Sequence, residues 1–312
     1  MFRQDRTAPS KAVSTWKGRK DVARSHPSTA VSDWLNGIGG AGPLTATGTF
    51  ASGPALSPVD TATHRHWVFT ATGNFVVSDN PNAQQVGVIT VAGGGGAYSD
   101  KQGGGAGGTV QYQSSIAAPV ASVTVTVGGG GAISADGGSS SHNFDASGIT
   151  KTGGDHTSSG NSWTDGGDNA DYSGGNGNGY AGGGGAGAGA NGSNFGDQWS
   201  APYWRTNGGG GGQGVSNPFY VSGAVSSSYV GGGGGGGAGQ KGSPSYNPYA
   251  GGGGYYGGGN GGAYNVGGAE AGVGVANSGG GGGGQSNYGG NNTGTGGSGV
   301  IIIRYALDGS NP

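Results

Sequence analysis

Val230-Gly231-Gly232-Gly233-Gly234-Gly235-Gly236-Gly237-Ala238 is the stretch that decides how this chain folds. Consecutive glycines have no side chain to bury, so a conventional hydrophobic core cannot hold them. One state open to such a run is a flexible coil. The other is extended backbone in the polyproline II conformation, with three residues per turn and no internal hydrogen bonds. Because no Cβ intervenes, neighbouring runs of this second kind can exchange N–H···O=C bonds on several sides, with Cα–H···O contacts in support. The margin is narrow. Each ordered glycine gives up about 1–2 kcal/mol of conformational entropy against about 0.5–1.5 kcal/mol net per hydrogen bond, so only a nearly fully bonded lattice survives.

The same composition extends outward from this run. All but ten of the 84 glycines fall between Ala92 and Gly299, in near-pure runs at 93–96, 103–108, 128–131, 182–185, 208–212, 251–254, 257–259 and 279–284. They keep no strict every-third-residue period, and 12 prolines in 312 residues is far below the collagen signature.

Strand-like segments bracket the glycine stretch. His66–Thr70 and Asn74–Ser78 flank Ala71-Thr72-Gly73 and read as a hairpin, Val86–Val91 runs straight into the first glycine run, and Thr109–Gln113 follows it. In Val123–Val127 valines and threonines alternate, the pattern of a half-buried strand. Val300–Tyr305 is apolar on both faces and belongs in the middle of its sheet. The glycine stretch would then leave a small sheet unit and return to it, and pinning both ends lowers the cost of ordering the lattice. The expected fold class is mainly β and irregular. A β-sandwich base over 64–127 plus 300–312 brackets a polyglycine II bundle over 128–299, preceded by a Gly/Pro/Thr/Ala linker with weak strand potential over 36–63 and a basic N-terminal arm over 1–35.

Composition limits the functional classes. Only 31% of residues are hydrophobic, so a conventional core occupies part of the chain, and with no cysteine there are neither disulfides nor thiolate metal sites. No apolar leader region follows Met1 and no stretch approaches 18 apolar residues, so neither a signal peptide nor membrane insertion is expected. The net charge of −2 is unevenly placed: bases dominate residues 1–33 and acids dominate 92–299. Within the arm, Trp16 sits among Lys17, Arg19 and Lys20, and Trp34 shares a short helical face with Val31 and Leu35. A peptide that docks into a partner protein accounts for an apolar Trp in a basic run better than a solvated tail does. Nucleic-acid binding is not expected, since no recognisable module is present.

The succession His66–Val77, then Val88–Ala92 into Gly93–Gly96, then Val123–Gly128, and finally Gly299–Tyr305 resembles the glycine-rich domain of bacteriophage tail and fibre proteins over roughly residues 64–305. The alternation of glycine runs with variable segments is also similar to the small adhesins at the tail-fibre tips of T-even-type phages. The resemblance implies a polyglycine II sandwich whose intervening loops contact a host receptor. Residues 1–63 share no part of it.

Those intervening segments are rich in aromatic residues. Ser193–Asn207 carries Trp199, Tyr203 and Trp204, Val215–Val230 carries Phe219 and Tyr220, and Ser243–Ala250 carries Tyr246 and Tyr249. Rigid amphipathic rings on loops offer large contact area at low entropic cost, which suits receptor binding. The same rings could instead lie over the lattice and shield its bonds. Asp165, Asp168 and Asp171 recur every third residue, faintly like the calcium-binding repeats of parallel β-helices, but the spacing is not sustained and solvated loop carboxylates are the expectation. His64 and His66 lie two apart without a third ligand nearby in sequence. G-x-G-x-x-G matches arise by chance in such a chain, and no nucleophile elbow, P-loop or paired-carboxylate pattern stands out.

The expected protein is therefore a non-enzymatic virion attachment protein without cofactor or metal, made in the host cytoplasm and carried on the extracellular particle. The arm would join it to other virion proteins, and the aromatic loops would meet a host glycan or outer-membrane protein; homo-oligomers are compatible with this. A purely structural particle or filament component, its loops packed on neighbouring subunits, is the alternative. An ice-binding protein is a third reading, disfavoured by the bulky aromatics between the runs.

Overall fold

The computed structural model of the chain describes residues 42–97, 103–145, 148–156, 165–178, 181–200, 203–241, 252–263, 270–286 and 294–312. The arm, with the Trp16, Lys17, Arg19, Lys20 and Trp34 expected to dock, lies outside them, as do Tyr246 and Tyr249. The described residues are all-β, with no helix. Strands occur at β1 (Thr45–Phe50), β2 (Ala55–Leu56), β3 (Val59–Asp60), β4 (His64–Phe69), β5 (Gly73–Asp79), β6 (Gln85–Val91), β7 (Val110–Ala117) and β8 (Ser122–Thr126). They continue with β9 (Ser140–His142), β10 (Ile149–Lys151), β11 (Gly196–Ser200), β12 (Tyr203–Asn207), β13 (Val215–Ser216), β14 (Tyr229–Val230), β15 (Gly239–Lys241) and β16 (Val300–Ala306).

Two antiparallel sheets form the base, one in the order β10-β9-β8-β5-β1-β2 and the other β3-β4-β16-β6-β7. Alternation fills the space between them. Phe75, Val77, Val123 and Val125 from the first sheet meet Trp67, Phe69, Val88, Ile301, Ile303 and Tyr305 from the second, all buried. β16 lies between β4 and β6, and its other face buries Val300 and Ile302 in a second cluster with Val68, Ile89 and Val91. Its unbroken apolar run follows from burial on both sides.

Two expectations need correction here. The described part of 36–63, expected as a linker with weak strand potential, belongs to the base, because β1 pairs with β5 along its length and β2 and β3 extend the two sheets. Within β1 the buried positions are small, Ala46 and Gly48, and Gly48 is placed against the Trp67 ring, so the period-2 signal of the strand is weak in large side chains, although Leu44 just before it is buried in the core. His66–Thr70 and Asn74–Ser78 are also not a hairpin. β4 pairs with β3 and β16 while β5 pairs with β1 and β8, so the chain crosses between sheets at Thr70–Thr72. The flank of β4 is taken by β16, whose doubly apolar sequence requires a neighbour on each side.

The glycine runs bond to each other rather than within themselves. Gly93 and Gly96 donate to Gly138 and Ala135, Gly94 and Ala97 to Gly297 and Gly294, and Gly95 to Ala106, at 2.8–3.0 Å. Likewise Gly104 and Gly107 donate to Gly183 and Ala186, while Gly105 and Gly108 donate to Gly282 and Gly279. Successive residues thus address three different neighbours and every third residue returns to the same one, which is the three-residue turn of a polyproline II helix. Both parallel and antiparallel neighbours occur.

Run 231–237 is the centre of this lattice. It exchanges backbone bonds with 182–188, 209–212, 252–255, 259–262 and 278–284, and with Gly105. Wherever its N–H and C=O groups are not aimed, its Cα atoms face neighbouring carbonyls, those of Gly185, Gly282, Gly252 and Gly182 among them. One end of the lattice is the base itself: β6 continues into 92–97, β8 into 128–131 and β10 into 152–156, and 103–108, 137–139 and 294–299 lead into β7, β9 and β16.

Candidate functional site

The other end of the lattice is where the flanks of most segments between the glycine runs lie, and the register says why. Gly95, Gly105, Gly234 and Gly282 lie at one level, linked by Gly105→Gly282, Gly282→Gly95 and Gly234→Gly105 bonds. Past that level, away from the base, Ala97 meets Gly294, Gly182 meets Gly237, Gly209 meets Gly182, and Gly262 meets Gly284. Each run that ascends from the base must turn there and descend. The flanks of segments 98–102, 179–180, 195–207, 239–251, 264–269 and 287–293 are therefore all at this far end.

Among these, β11 and β12 form a hairpin with Trp199 directly opposite Trp204 and Ser200 opposite Tyr203. β12 also pairs with β15, Trp204 facing Lys241, which makes a three-stranded sheet fed by the lattice runs 208–212 and 231–237. A cross-strand register brings Trp199, Tyr203 and Trp204 to one short ribbon.

Phe219 and Tyr220 are not part of that group. The segment 215–230 returns to the base end and covers the outer face of the second sheet with Phe219, Val225 and Val230. Phe219 is only 1% exposed. Its ring rests on Gly87, where a Cβ would collide with it, lies edge-on to Tyr112 and carries the Arg304 guanidinium 4.2 Å from its centroid. It is a core residue, contrary to its expected role in receptor contact, because the apolar outer face of β16 and β6 needs a cover. Tyr220 is exposed but sits beside that cover. A shallow cleft of about 350 Å³, lined by Ile89, Val110, Tyr112, Val215, Ser216 and Pro218, opens next to it.

The three-residue spacing of the aspartates has a structural cause. Asp168 and Asp165 accept the N–H groups of Gly174 and Gly177, and Asn191 and Asn194 accept those of Ser173 and Asn176. Each pair is three residues apart because the run 173–178 has three residues per turn, and the side-chain oxygens replace the carbonyls that a further lattice neighbour would supply. Among the described residues no group of three or more His, Asp or Glu side chains converges as a metal site.

His64 and His66 share a face, with ring centroids 6.3 Å apart, and Arg304 is opposite His66. A fixed cation there disfavours a metal ion. Burial, with Arg304 adding to it, holds both imidazoles below their ordinary value, and burial does the same to His142, whose Nε2 meets Gln113 Oε1. The buried Nδ1 atoms of His66 and His142 have no partner among the described residues. Because the folded values are lower than the unfolded value of about 6.5, the unfolded chain binds more protons in the window just below it. This contribution to stability is complete above about pH 6.5 and is lost as pH falls through the depressed folded values. The melting temperature should therefore fall between neutral pH and about pH 5, and His142→Gln should flatten that slope; a slope unchanged in His142→Gln and in His66→Gln assigns the acid lability elsewhere.

Three tyrosines of the segments between glycine runs are brought together by the fold. Tyr229 stacks on Tyr256 at 4.0 Å, and Tyr255 is tilted against Tyr256 at 6.2 Å. The residues are remote in sequence, and only the antiparallel pairing of runs 231–237 and 252–255 places them side by side. No curated protein and no solved structure matches the chain. The model of a family described as "Glycine-rich domain" matches residues 70–306, from the end of β4 through the lattice to the last residue of β16, and the chain belongs to that family.

Proposed function

We propose that this chain is a bacteriophage attachment protein, a tail-fibre or fibre-tip adhesin that presents its far-end segments to a host-cell surface receptor. The observation that carries the reading is that the flanks of most segments between the glycine runs, 215–230 excepted, lie at the end of the lattice opposite the base, with Trp199 and Trp204 opposed on one of them. Loops borne on a scaffold held by main-chain bonds can vary without altering the fold, the arrangement a recognition surface needs. In this reading the chain is not an enzyme and needs no cofactor. The basic arm, with Trp16, Lys17, Arg19, Lys20 and Trp34, joins it to other virion proteins, and the far end meets a glycan or an outer-membrane protein.

The test is binding of the fluorescently labelled full chain to a panel of intact bacteria. Saturable binding to some strains, displaced by unlabelled chain, is the expected result. Uniform, non-saturable uptake, or none across the panel, rejects the attachment reading in favour of a particle component whose far end contacts other subunits.

A further inference from the structure

The tyrosine group at the base end is built in a way that neither packing nor turn preference requires. Gly258 donates to the carbonyl of Tyr255, closing a turn whose central residues, Tyr256 (φ 46°) and Gly257 (φ 97°), are both in the left-handed region. Such a turn ordinarily takes Asn, Asp or Gly at its first central position. A bulky aromatic there violates the local rule, and such violations concentrate at functional sites. The turn does not bury the ring it strains to place: Tyr256 is 37% exposed, and its neighbour Tyr255 is 47% exposed.

Beside this wall lies an open floor. Gly210 and Gly253 belong to adjoining runs joined by the Gly211→Gly253 bond, yet a Cβ on Gly253 would meet nothing, and one on Gly210 would come only to 3.5 Å from Tyr255 Cε2. Most lattice glycines have a neighbouring carbonyl close in that position; Gly253 leaves the peptide surface bare, and Gly210 is met there only at contact distance, by the Tyr255 ring, Gly253 O and Ser193 Oγ. Among the described residues, neither Gly210 nor Gly253 donates its N–H to an acceptor, although both carbonyls are used. The result is a shelf of exposed tyrosine rings beside two peptide donors that have no acceptor among the described residues.

We infer that this shelf binds a neutral carbohydrate. A pyranose ring offers an apolar C–H face to a tyrosine ring and hydroxyls to peptide N–H groups and phenolic oxygens, which is the mixture present here. An apolar protein surface would leave the bare peptide donors unpaired, at a cost that a hydroxylated ligand avoids. The shelf is separate from the far-end ribbon, so the inference stands whether or not that ribbon binds a receptor.

Isothermal titration of the full chain with cellohexaose, maltohexaose and mannohexaose, each up to about 10 mM, tests it. At least one should bind, and Tyr255→Ala and Tyr256→Ala should each weaken it by about tenfold or more. Tyr255→Trp should retain binding. Gly253→Val should abolish it without lowering the melting temperature, since the side chain enters open space on the shelf rather than the lattice. Absence of binding to all three sugars, or equal binding by wild type, Tyr255→Ala and Gly253→Val, overturns the inference. So does a change of sedimentation coefficient in the tyrosine variants, which would identify the shelf as a contact between copies of the chain.

Discussion

Gly235→Val should prevent folding, whereas Gly253→Val should leave the melting temperature within a few degrees of wild type. Both positions are glycines in extended runs of similar composition, and hydropathy does not distinguish them. Their surroundings do. A Cβ on Gly235 would lie on the carbonyl of Gly252, far inside the 3.0 Å that real Cβ atoms keep, and against the N–H of Gly261, while one on Gly253 meets nothing within 4 Å. To admit valine at 235, runs 252–255 and 259–262 must move outward. That breaks the Gly235→Gly259, Gly252→Gly236 and Gly261→Gly252 bonds together. At about 1 kcal/mol for each lost bond, and more for each donor left buried, the cost exceeds about 4 kcal/mol, a large part of the stability of an ordinary domain. Soluble yield and thermal melting of the two variants decide the matter. If Gly235→Val is soluble and melts with wild type, the central run is a linker and the lattice does not hold the chain together.

How much of this was legible in the sequence depends on which force places each residue. The central position of β16 could be read from Val300–Tyr305, because burial on both faces leaves an unbroken apolar run. The alternation in β8 was equally plain, with Val123 and Val125 buried and Ser122 and Thr124 exposed. The glycine lattice followed from what glycine lacks. What sequence could not supply was the pairing of runs, since glycine carries no side chain to encode a partner. Every consequence of pairing was therefore hidden, including the end at which each segment emerges and the meeting of Tyr229 with Tyr256. Phe219 was misread for a related reason: its local context is that of an aromatic loop, and only the apolar outer face of a sheet formed from distant strands explains its burial. The aspartate spacing was a signal of period three whose meaning changed once the neighbouring run was known. Asn191 and Asn194 carry the same spacing and serve the same run. A search for polar residues three apart beside glycine runs could have found these edge caps without a structure.

Simultaneous replacement of Trp199, Tyr203 and Trp204 by alanine should remove cell binding while leaving the fold intact. The three residues belong to one hairpin, with Trp199 and Trp204 in direct cross-strand register, so they act as a unit and single replacements would understate their effect. If they anchor a receptor, their combined loss should cost more than about 4 kcal/mol, at least a thousandfold in affinity, as truncated aromatic hot spots do. The lattice beneath should not register the change. Runs 208–212 and 231–237, which feed the ribbon, are held to their neighbours by main-chain bonds. The melting temperature should accordingly move by only a few degrees, the loss of cross-strand pairs in a single three-stranded ribbon being worth about 1 kcal/mol each. Measuring cell binding and melting on the same preparation separates the two roles. Binding lost with melting unchanged makes the ribbon the recognition element. Binding retained with melting unchanged moves recognition to another of the far-end segments. Binding lost together with a fall of ten degrees or more, on the order of several kcal/mol for a chain of this size, would mean that the rings hold the far end of the lattice together and contribute to binding only through the fold.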